Sequence, residues 1–182
     1  MLAEPGCTAT ASPITPELAV RMAARGSEGC PVPLEDLRDL TLTYRGFDGL
    51  AHAGEIVAHA DSAAAITQVF RTLFEVGYLI RSLRLVGDFG ADDDASMAGG
   101  NTAAFTCRAV AGTTTRSQPV YGCAINLNPV ENPYVSSSGI YPPEGRPSAN
   151  RSDLLGVLHA GDPAVSAFAT AGWPGGGAWS DT

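Results

Sequence analysis

An amphipathic segment directly after a predicted β-strand is the sequence feature that most constrains the fold. Its apolar residues recur at helical spacing and are Ile66, Val69, Phe70, Leu73 and Phe74. Side chains three and four positions apart lie on one side of a helix, so this pattern predicts an amphipathic helix with one buried face. We expect Asp61 to cap its start and Gly77 to end it. The buried face must then pack against a second apolar surface.

Two short strands before the helix are predicted to supply that surface. Residues 40–44 (Leu-Thr-Leu-Thr-Tyr) and 52–59 (His-Ala-Gly-Glu-Ile-Val-Ala-His) flank a turn at Gly-Phe-Asp-Gly, residues 46–49. A further strand is predicted over residues 79–86, and Asp162-Pro163 predicts the start of a second main helix. Short strands combined with two helices indicate an α+β fold with a small antiparallel sheet. Residues 30–182 form one predicted domain, preceded by an N-terminal arm over residues 1–29.

Charge and composition exclude several classes of partner. The net charge of −8 and the pI of about 4.7 disfavour binding to nucleic acid or to an anionic membrane surface. No Cys-x-x-Cys pair occurs among the four cysteines, so a structural zinc knot is not expected. The first residues lack the basic and apolar regions of a signal peptide. We therefore expect a cytoplasmic protein with a small-molecule substrate, or a secreted one if the chain has been trimmed.

Short motifs that follow one another along residues 30–182 point to a family. They include Cys30-Pro-Val-Pro-Leu, Gly46-Phe-Asp-Gly49, His52-Ala-Gly-Glu-Ile-Val57, Asp92-Asp-Asp-Ala-Ser-Met97, Tyr121-Gly-Cys-Ala-Ile125 and Asn128-Pro-Val-Glu-Asn-Pro-Tyr-Val135. In this order they resemble the D-alanyl-D-alanine carboxypeptidase and L-alanyl-D-glutamate endopeptidase family of zinc peptidases. The resemblance implies a DD-carboxypeptidase-like (hedgehog-type) fold and an ancestral activity on peptidoglycan stem peptides.

The zinc ligands that the resemblance implies are replaced. The family pattern is Ser-x-His-x-x-Gly-x-Ala-x-Asp, and this chain has Ser117-Gln-Pro119-Val-Tyr-Gly-Cys-Ala-Ile-Asn126. Pro119 stands at the position of the histidine ligand, and Asn126 stands at the position of the aspartate ligand. A catalytic zinc needs three protein ligands, and the family's late Asp-x-x-His is not found before Thr182. We therefore expect no metal, no other cofactor and no zinc peptidase activity.

The resemblance also implies that the substrate pocket is retained. Arg108 matches the family's arginine that supports the oxyanion or binds a substrate carboxylate, and Tyr121 is expected to form part of the pocket wall. Asn126 is the third predicted substrate-binding residue, because its amide could hold a developing enolate oxygen.

Acid–base groups are the chemistry that remains without a metal. Glu55 paired with a histidine could remove an acidic C–H proton and protonate a leaving hydroxyl group. The predicted catalytic residues are Glu55 with either His52 or His159. Side chains alternate along a strand, so Glu55 and His52 pair only if Gly54 distorts it.

Two functions remain open from the sequence. The first is a metal-independent enzyme that catalyses dehydration and cyclisation, by a Michael-type or related ring closure, of a small-molecule biosynthetic intermediate. The second is a catalytically inactive pseudo-peptidase that binds peptidoglycan fragments or a protein partner.

Overall fold

The main sheet of the protein has three antiparallel strands. The computed structural model describes residues 6–22, 32–104, 124–173 and 175. Strands β1 (Ala9–Pro13), β2 (Leu37–Arg45) and β3 (Ala51–His59) pair in that order. The hairpin of β2 and β3 reverses at the predicted turn, where Gly49 adopts a φ of 76°. The predicted N-terminal arm thus contributes an edge strand to the sheet, together with helix α1 (Pro16–Met22).

One face of this sheet packs against the predicted amphipathic helix. Helix α2 (Ala60–Glu75) follows β3 directly, and all five residues of its predicted apolar stripe are buried. They contact the alternate residues Leu40, Leu42, Ile56 and Ala58, which are likewise buried. Burial of one such apolar side chain contributes about 1.5–3 kcal/mol, so this layer dominates the stability of the domain. The α+β fold with a small antiparallel sheet is therefore confirmed.

The start of α2 differs from the prediction by two residues. His59 is the N-cap residue, and its Nδ1 accepts a hydrogen bond from the backbone N–H of Asp61 at 3.2 Å. Asp61 instead lies in the first turn, where its negative charge interacts favourably with the positive end of the helix dipole. The predicted end is confirmed, because Gly77 follows the last turn with a φ of 73°.

The segment after α2 contains shorter elements than predicted. Strand β4 (Ser82–Leu83) pairs in parallel with β5 (Asn101–Thr102), and a 3₁₀ turn at Val86–Phe89 ends the predicted strand early. Helix α3 (Asp93–Ala98) lies between the two strands, where the carboxylate of Asp92 caps it by accepting from the N–H of Ala95 at 3.1 Å. The acidic run at residues 92–94 is therefore the start of a helix.

The C-terminal part of the described chain completes the main core. Strands β6 (Tyr134–Ser136) and β7 (Gly139–Tyr141) form a separate hairpin, followed by a 3₁₀ turn at Pro143–Ser148. Helix α4 (Pro163–Thr170) begins at its predicted N-terminal proline and packs its Ala164 and Phe168 against the core.

The opposite face of the main sheet carries a smaller apolar cluster. Its buried members are Leu18, Val32, Leu37, Val57 and Leu85. Leu18 is the buried residue of α1, which therefore covers this face of the sheet. Within the described ranges, no helix is both long and apolar enough to cross a membrane.

Candidate functional site

The predicted substrate-binding residues are only partly within the described structure. Arg108 and Tyr121 lie outside the described residues, as does Pro119. Asn126 is described and is partly exposed. Its backbone forms an antiparallel bridge with Ala103, with hydrogen bonds of 2.9 Å from its N–H and 3.2 Å to its carbonyl. Asn126 therefore lies beside the end of β5, with its backbone fixed.

A buried hydrogen-bond network holds the chain just after Asn126. Asn128 is fully buried and adopts a left-handed φ of 44°. Its Oδ1 accepts from the N–H of Arg81 at 2.9 Å, and its Nδ2 donates to the carbonyl of Leu79 at 2.8 Å. The backbone N–H of Asn128 also donates to Oγ1 of Thr102 at 3.0 Å. One asparagine thus connects the segment that carries Asn126 to both β4 and β5.

Three further residues complete this network around one carbonyl group. The hydroxyl of Tyr78 donates to the carbonyl of Gly156 at 2.5 Å, and Nδ2 of Asn132 donates to the same carbonyl at 2.8 Å. Asn128 Nδ2 donates to the Tyr78 hydroxyl at 3.2 Å. Burial raises the pKa of Tyr78 to about 12. We call Tyr78, Asn128, Asn132 and Gly156 the amide network.

Gly156 is required by the close packing of this network. Its φ of 76° suits glycine, and a Cβ there would lie 2.6 Å from Nδ2 of Asn128 and 2.7 Å from the ring of Phe47. The guanidinium of Arg81 stacks on the same ring, with 4.7 Å between its Cζ and the ring centroid. Arg81 also forms an ion pair with Glu131, which is only 4% exposed. The scaffold next to Asn126 is therefore fixed by hydrogen bonds, stacking and a partly buried ion pair.

Glu55 lies on the opposite face of the sheet, below α1. Its carboxylate accepts from Arg21 at 2.9 Å, and Arg21 also donates to both carboxylate oxygens of Asp88, at 3.1 and 3.2 Å. Burial raises the pKa of the neighbouring Asp39, and the negative charge of Glu55 adds to that shift. The carboxylate of Glu55 thus pairs with an arginine.

His52 pairs with an aspartate of the preceding turn. Its Nε2 lies 3.0 Å from both carboxylate oxygens of Asp48, and its ring lies 5.5 Å from that of Tyr44. The hydrogen bond from His52 lowers the pKa of Asp48. The side chain of His52 is 41% exposed, so the pair is accessible to solvent.

His159 is held at a third place, before α4. Its backbone N–H donates to Asp162 at 2.7 Å, and its Nε2 lies 3.3 Å from the carboxylate of Asp153. Within the part of the chain that the structure describes, Glu55 shares no hydrogen bond with His52 or His159. The catalytic roles assigned to these three residues stay predictions.

The described residues do not fit a zinc site. No group of three or more His, Cys, Asp or Glu residues among them could hold a metal ion. Asn126, at the position where the family has an aspartate, carries a neutral amide, which is a poor zinc ligand.

Sequence reasoning missed Arg21, Asp48 and the amide network. The spacing of Asp48 and His52 is the one local signal, because residues on either side of a tight turn come close together. Arg21 and Glu55 are 34 positions apart, and Asn128 and Tyr78 are 50 positions apart. Only the tertiary fold brings such distant residues into contact.

One comparison with known proteins identifies a similar family. A family model described as D-alanyl-D-alanine carboxypeptidase matches residues 111–182, which include Asn126, most of the amide network and His159. The family predicted from the sequence is therefore confirmed over this part of the chain. Searches of curated proteins and of solved structures found no match.

Proposed function

We propose that the chain is a binding protein on a D-alanyl-D-alanine carboxypeptidase-like scaffold, and that it holds a peptidoglycan fragment without cleaving it. The observation that carries the proposal is the environment of Asn126. Its backbone is fixed against Ala103, while its partly exposed side chain makes no hydrogen bond to another described residue. An amide in place of a carboxylate can both donate and accept, which suits the peptide groups of a stem peptide.

The rigid support of Asn126 favours binding. Asn128 lies two residues further along and is fixed by the amide network, so the intervening chain has little freedom. A preorganised site loses less conformational entropy when a ligand binds. This support persists without any metal, because it consists of neutral amides and a tyrosine hydroxyl group.

The pairing of Glu55 with Arg21 supports a binding role over acid–base catalysis by Glu55. The predicted Glu–His pair needs a histidine within hydrogen-bond reach of the Glu55 carboxylate. Here the carboxylate of Glu55 accepts a charge-assisted hydrogen bond from Arg21 at 2.9 Å. In this conformation Glu55 lacks the histidine partner that dehydration was predicted to use.

The pair of His52 and Asp48 favours a second function, a metal-independent acid–base enzyme. An aspartate that accepts a hydrogen bond from a histidine orients the imidazole ring, and this pair is exposed. Such an enzyme would act on a small-molecule biosynthetic intermediate. The base would remove a C–H proton next to a carbonyl, and the leaving hydroxyl would take a proton and depart as water. Ring closure by conjugate addition to the resulting double bond could follow.

Calorimetric titration with a synthetic stem pentapeptide that ends in D-alanyl-D-alanine tests the first function. We expect saturable binding, intact peptide by mass spectrometry after long incubation, and a loss of affinity of about tenfold in Asn126→Ala. Asn150→Ala is the matched control, because Asn150 is exposed and, among the described residues, bonds to Ser152 alone. Absence of binding, or cleavage of the peptide, would overturn the proposal.

A dehydration assay tests the second function. A 3-hydroxyacyl thioester is incubated with the protein, and the ultraviolet absorbance of the conjugated product is followed. Turnover that is lost in His52→Gln and in Asp48→Asn, but kept in Asn150→Ala, would support the enzyme. If the thioester stays intact while the stem peptide binds, the binding function is favoured.

A further inference from the structure

We infer that helix α1 is a strap that Arg21 holds closed over the carboxylate of Glu55, and that it opens without unfolding of the domain. The inference concerns the face of the sheet opposite to the α2 core and is independent of the function proposed for Asn126. We call Arg21, Asp39, Glu55, Asp88 and Arg84 the Arg21 cluster.

Arg21 connects α1 to two other elements through a single guanidinium group. One nitrogen of Arg21 donates to Glu55 of β3 and to both carboxylate oxygens of Asp88, which lies in the 3₁₀ turn at Val86–Phe89. Apart from Arg21, α1 is fixed by apolar contacts with the smaller cluster, where Leu18 is buried and Met22 packs partly buried. The closed position of α1 therefore depends on a small apolar contact and on one shared arginine.

The end of α1 lies directly on the backbone of Gly87. A Cβ at Gly87 would be 1.7 Å from the carbonyl oxygen of Arg21. No side chain can be placed at that distance, so closure of α1 requires glycine at this position. Gly87 thus provides a way to displace α1 without altering any charge.

The charges below α1 are unbalanced. Three carboxylates, from Asp39, Glu55 and Asp88, lie near two guanidinium groups. One belongs to Arg21, and the other belongs to Arg84, which lies 3.4 Å from Asp88. Oδ1 of Asp39 is buried and has no hydrogen-bond partner among the described residues. Like charges at close range repel one another, so the cluster becomes unfavourable once Arg21 leaves.

The ion pairs of Arg21 are weak enough for α1 to open. The side chain of Arg21 is 44% exposed and that of Glu55 is 35% exposed. Ion pairs at such exposure contribute little and are screened by salt. Opening of α1 would increase the solvent exposure of Glu55 and remove Arg21 from Oε2 of its carboxylate. The strap therefore regulates how much of the Glu55 carboxylate is free to contact a molecule outside the protein.

Hydrogen–deuterium exchange of the full chain, followed by mass spectrometry, tests the strap. In Arg21→Gln we expect exchange in residues 9–22 to rise by about twofold to fivefold, with exchange in α2 unchanged. Arg38→Gln is the matched control, because within the described ranges the guanidinium of Arg38 donates to the carbonyls of Glu35 and Leu37 and makes no hydrogen bond to α1. High salt should raise exchange in α1 of the wild type and have little effect in Arg21→Gln.

A second variant tests the same inference without removing a charge. Gly87→Ala should raise exchange in α1 at low salt, because the methyl group cannot fit below the carbonyl of Arg21. The inference is overturned if exchange in α1 matches the wild type in both variants. It is also overturned if exchange rises equally in α1 and α2, because the helix would then open only when the whole domain unfolds.

Discussion

The amide network and the Arg21 cluster both join segments that are far apart in the sequence through polar side chains. They differ in the charge and the burial of the groups that they use. The amide network uses neutral, hydrogen-bonded groups around the fully buried Asn128, and its other members are partly buried. The Arg21 cluster uses formal charges at partly exposed positions, and one of its carboxylate oxygens has no partner among the described residues.

The difference teaches where the protein is rigid and where it can move. A buried hydrogen bond that loses one partner leaves the other unsatisfied at a cost of about 1–3 kcal/mol, whereas an exposed ion pair contributes about 0–1 kcal/mol. The amide network therefore fixes the chain beside Asn126. The Arg21 cluster, which holds α1 over Glu55, can open at a small cost. Substitutions in the two regions should differ accordingly in size and in sensitivity to salt.

The largest effect is expected for Asn128→Ala. The variant removes the acceptor of the Arg81 N–H and the donor to the Leu79 carbonyl, and it places alanine at a left-handed φ of 44°. We expect a loss of about 3–4 kcal/mol in the free energy of unfolding, measured by urea denaturation. Asn150→Ala, on the exposed surface, should change it by less than about 0.5 kcal/mol. Equal effects of the two variants would contradict a structural role of the network.

An intermediate effect is expected for Tyr78→Phe. The variant removes the hydroxyl that donates to the carbonyl of Gly156 at 2.5 Å, which should cost about 1–2 kcal/mol at pH 7. Tyr141→Phe is the control, because Tyr141 is half exposed.

The pH dependence of the same variant has a defined sign. The pKa of Tyr78 is raised to about 12 in the fold, while an unfolded tyrosine ionises near pH 10. The wild type therefore loses stability as the pH rises from about 10 to 12, because only the unfolded chain releases the proton. Tyr78→Phe lacks this loss, so its deficit should shrink over that range. A deficit that stays constant from pH 9 to 11 would contradict the shift.

A smaller effect is expected for Arg21→Gln. Its free energy of unfolding should fall by about 0.5 kcal/mol at low salt, and the difference from the wild type should disappear at high salt. The deficit of Asn128→Ala should persist at high salt, because its hydrogen bonds are between neutral groups. If both deficits respond equally to salt, the distinction between the two regions is wrong.

The smallest effect on the free energy of unfolding is expected for Asp39→Asn, and it is a gain in stability and not a loss. Burial and the charge of Glu55 raise the pKa of Asp39, so its ionised form is disfavoured in the fold. Stability is therefore lost as the pH rises from about 4 through the raised pKa, and a neutral amide avoids that loss. We expect Asp39→Asn to be more stable than the wild type by up to about 0.5 kcal/mol at pH 7, with no gain near pH 3. Asp36→Asn, at an exposed position, should show no gain at either pH.

Local patterns predict the elements around the sheet well and the segments beyond it less well. The stripe of α2 is confirmed, because it reflects burial of one face of a regular helix, and strand β3 forms where it was predicted. The strand predicted over residues 79–86 is reduced to Ser82–Leu83. Three apolar residues of this segment, Ile80, Leu83 and Leu85, are buried, although most of the segment is irregular. Apolar content alone does not distinguish a strand from a buried irregular segment.

The candidate site shows the same limit. The resemblance predicts a change at the family's zinc site from Pro119 and Asn126 directly, because a residue type decides whether a metal ligand is possible. The partner of Glu55 could not be inferred in this way. Strand alternation separates Glu55 from His52, but nothing local indicates that an arginine 34 positions earlier would reach the carboxylate.

The sequence by itself determined the α+β class, the main hairpin and its covering helix, and the family that residues 111–182 resemble. These properties follow from periodicity, turn residues and motif order, which are local. The tertiary structure alone decided that Asn128 supports the chain beside Asn126 and that Arg21 covers Glu55. The reason is physical: both depend on which polar groups lose their water together when distant segments pack, and a carboxylate accepts from whichever donor the fold brings to it.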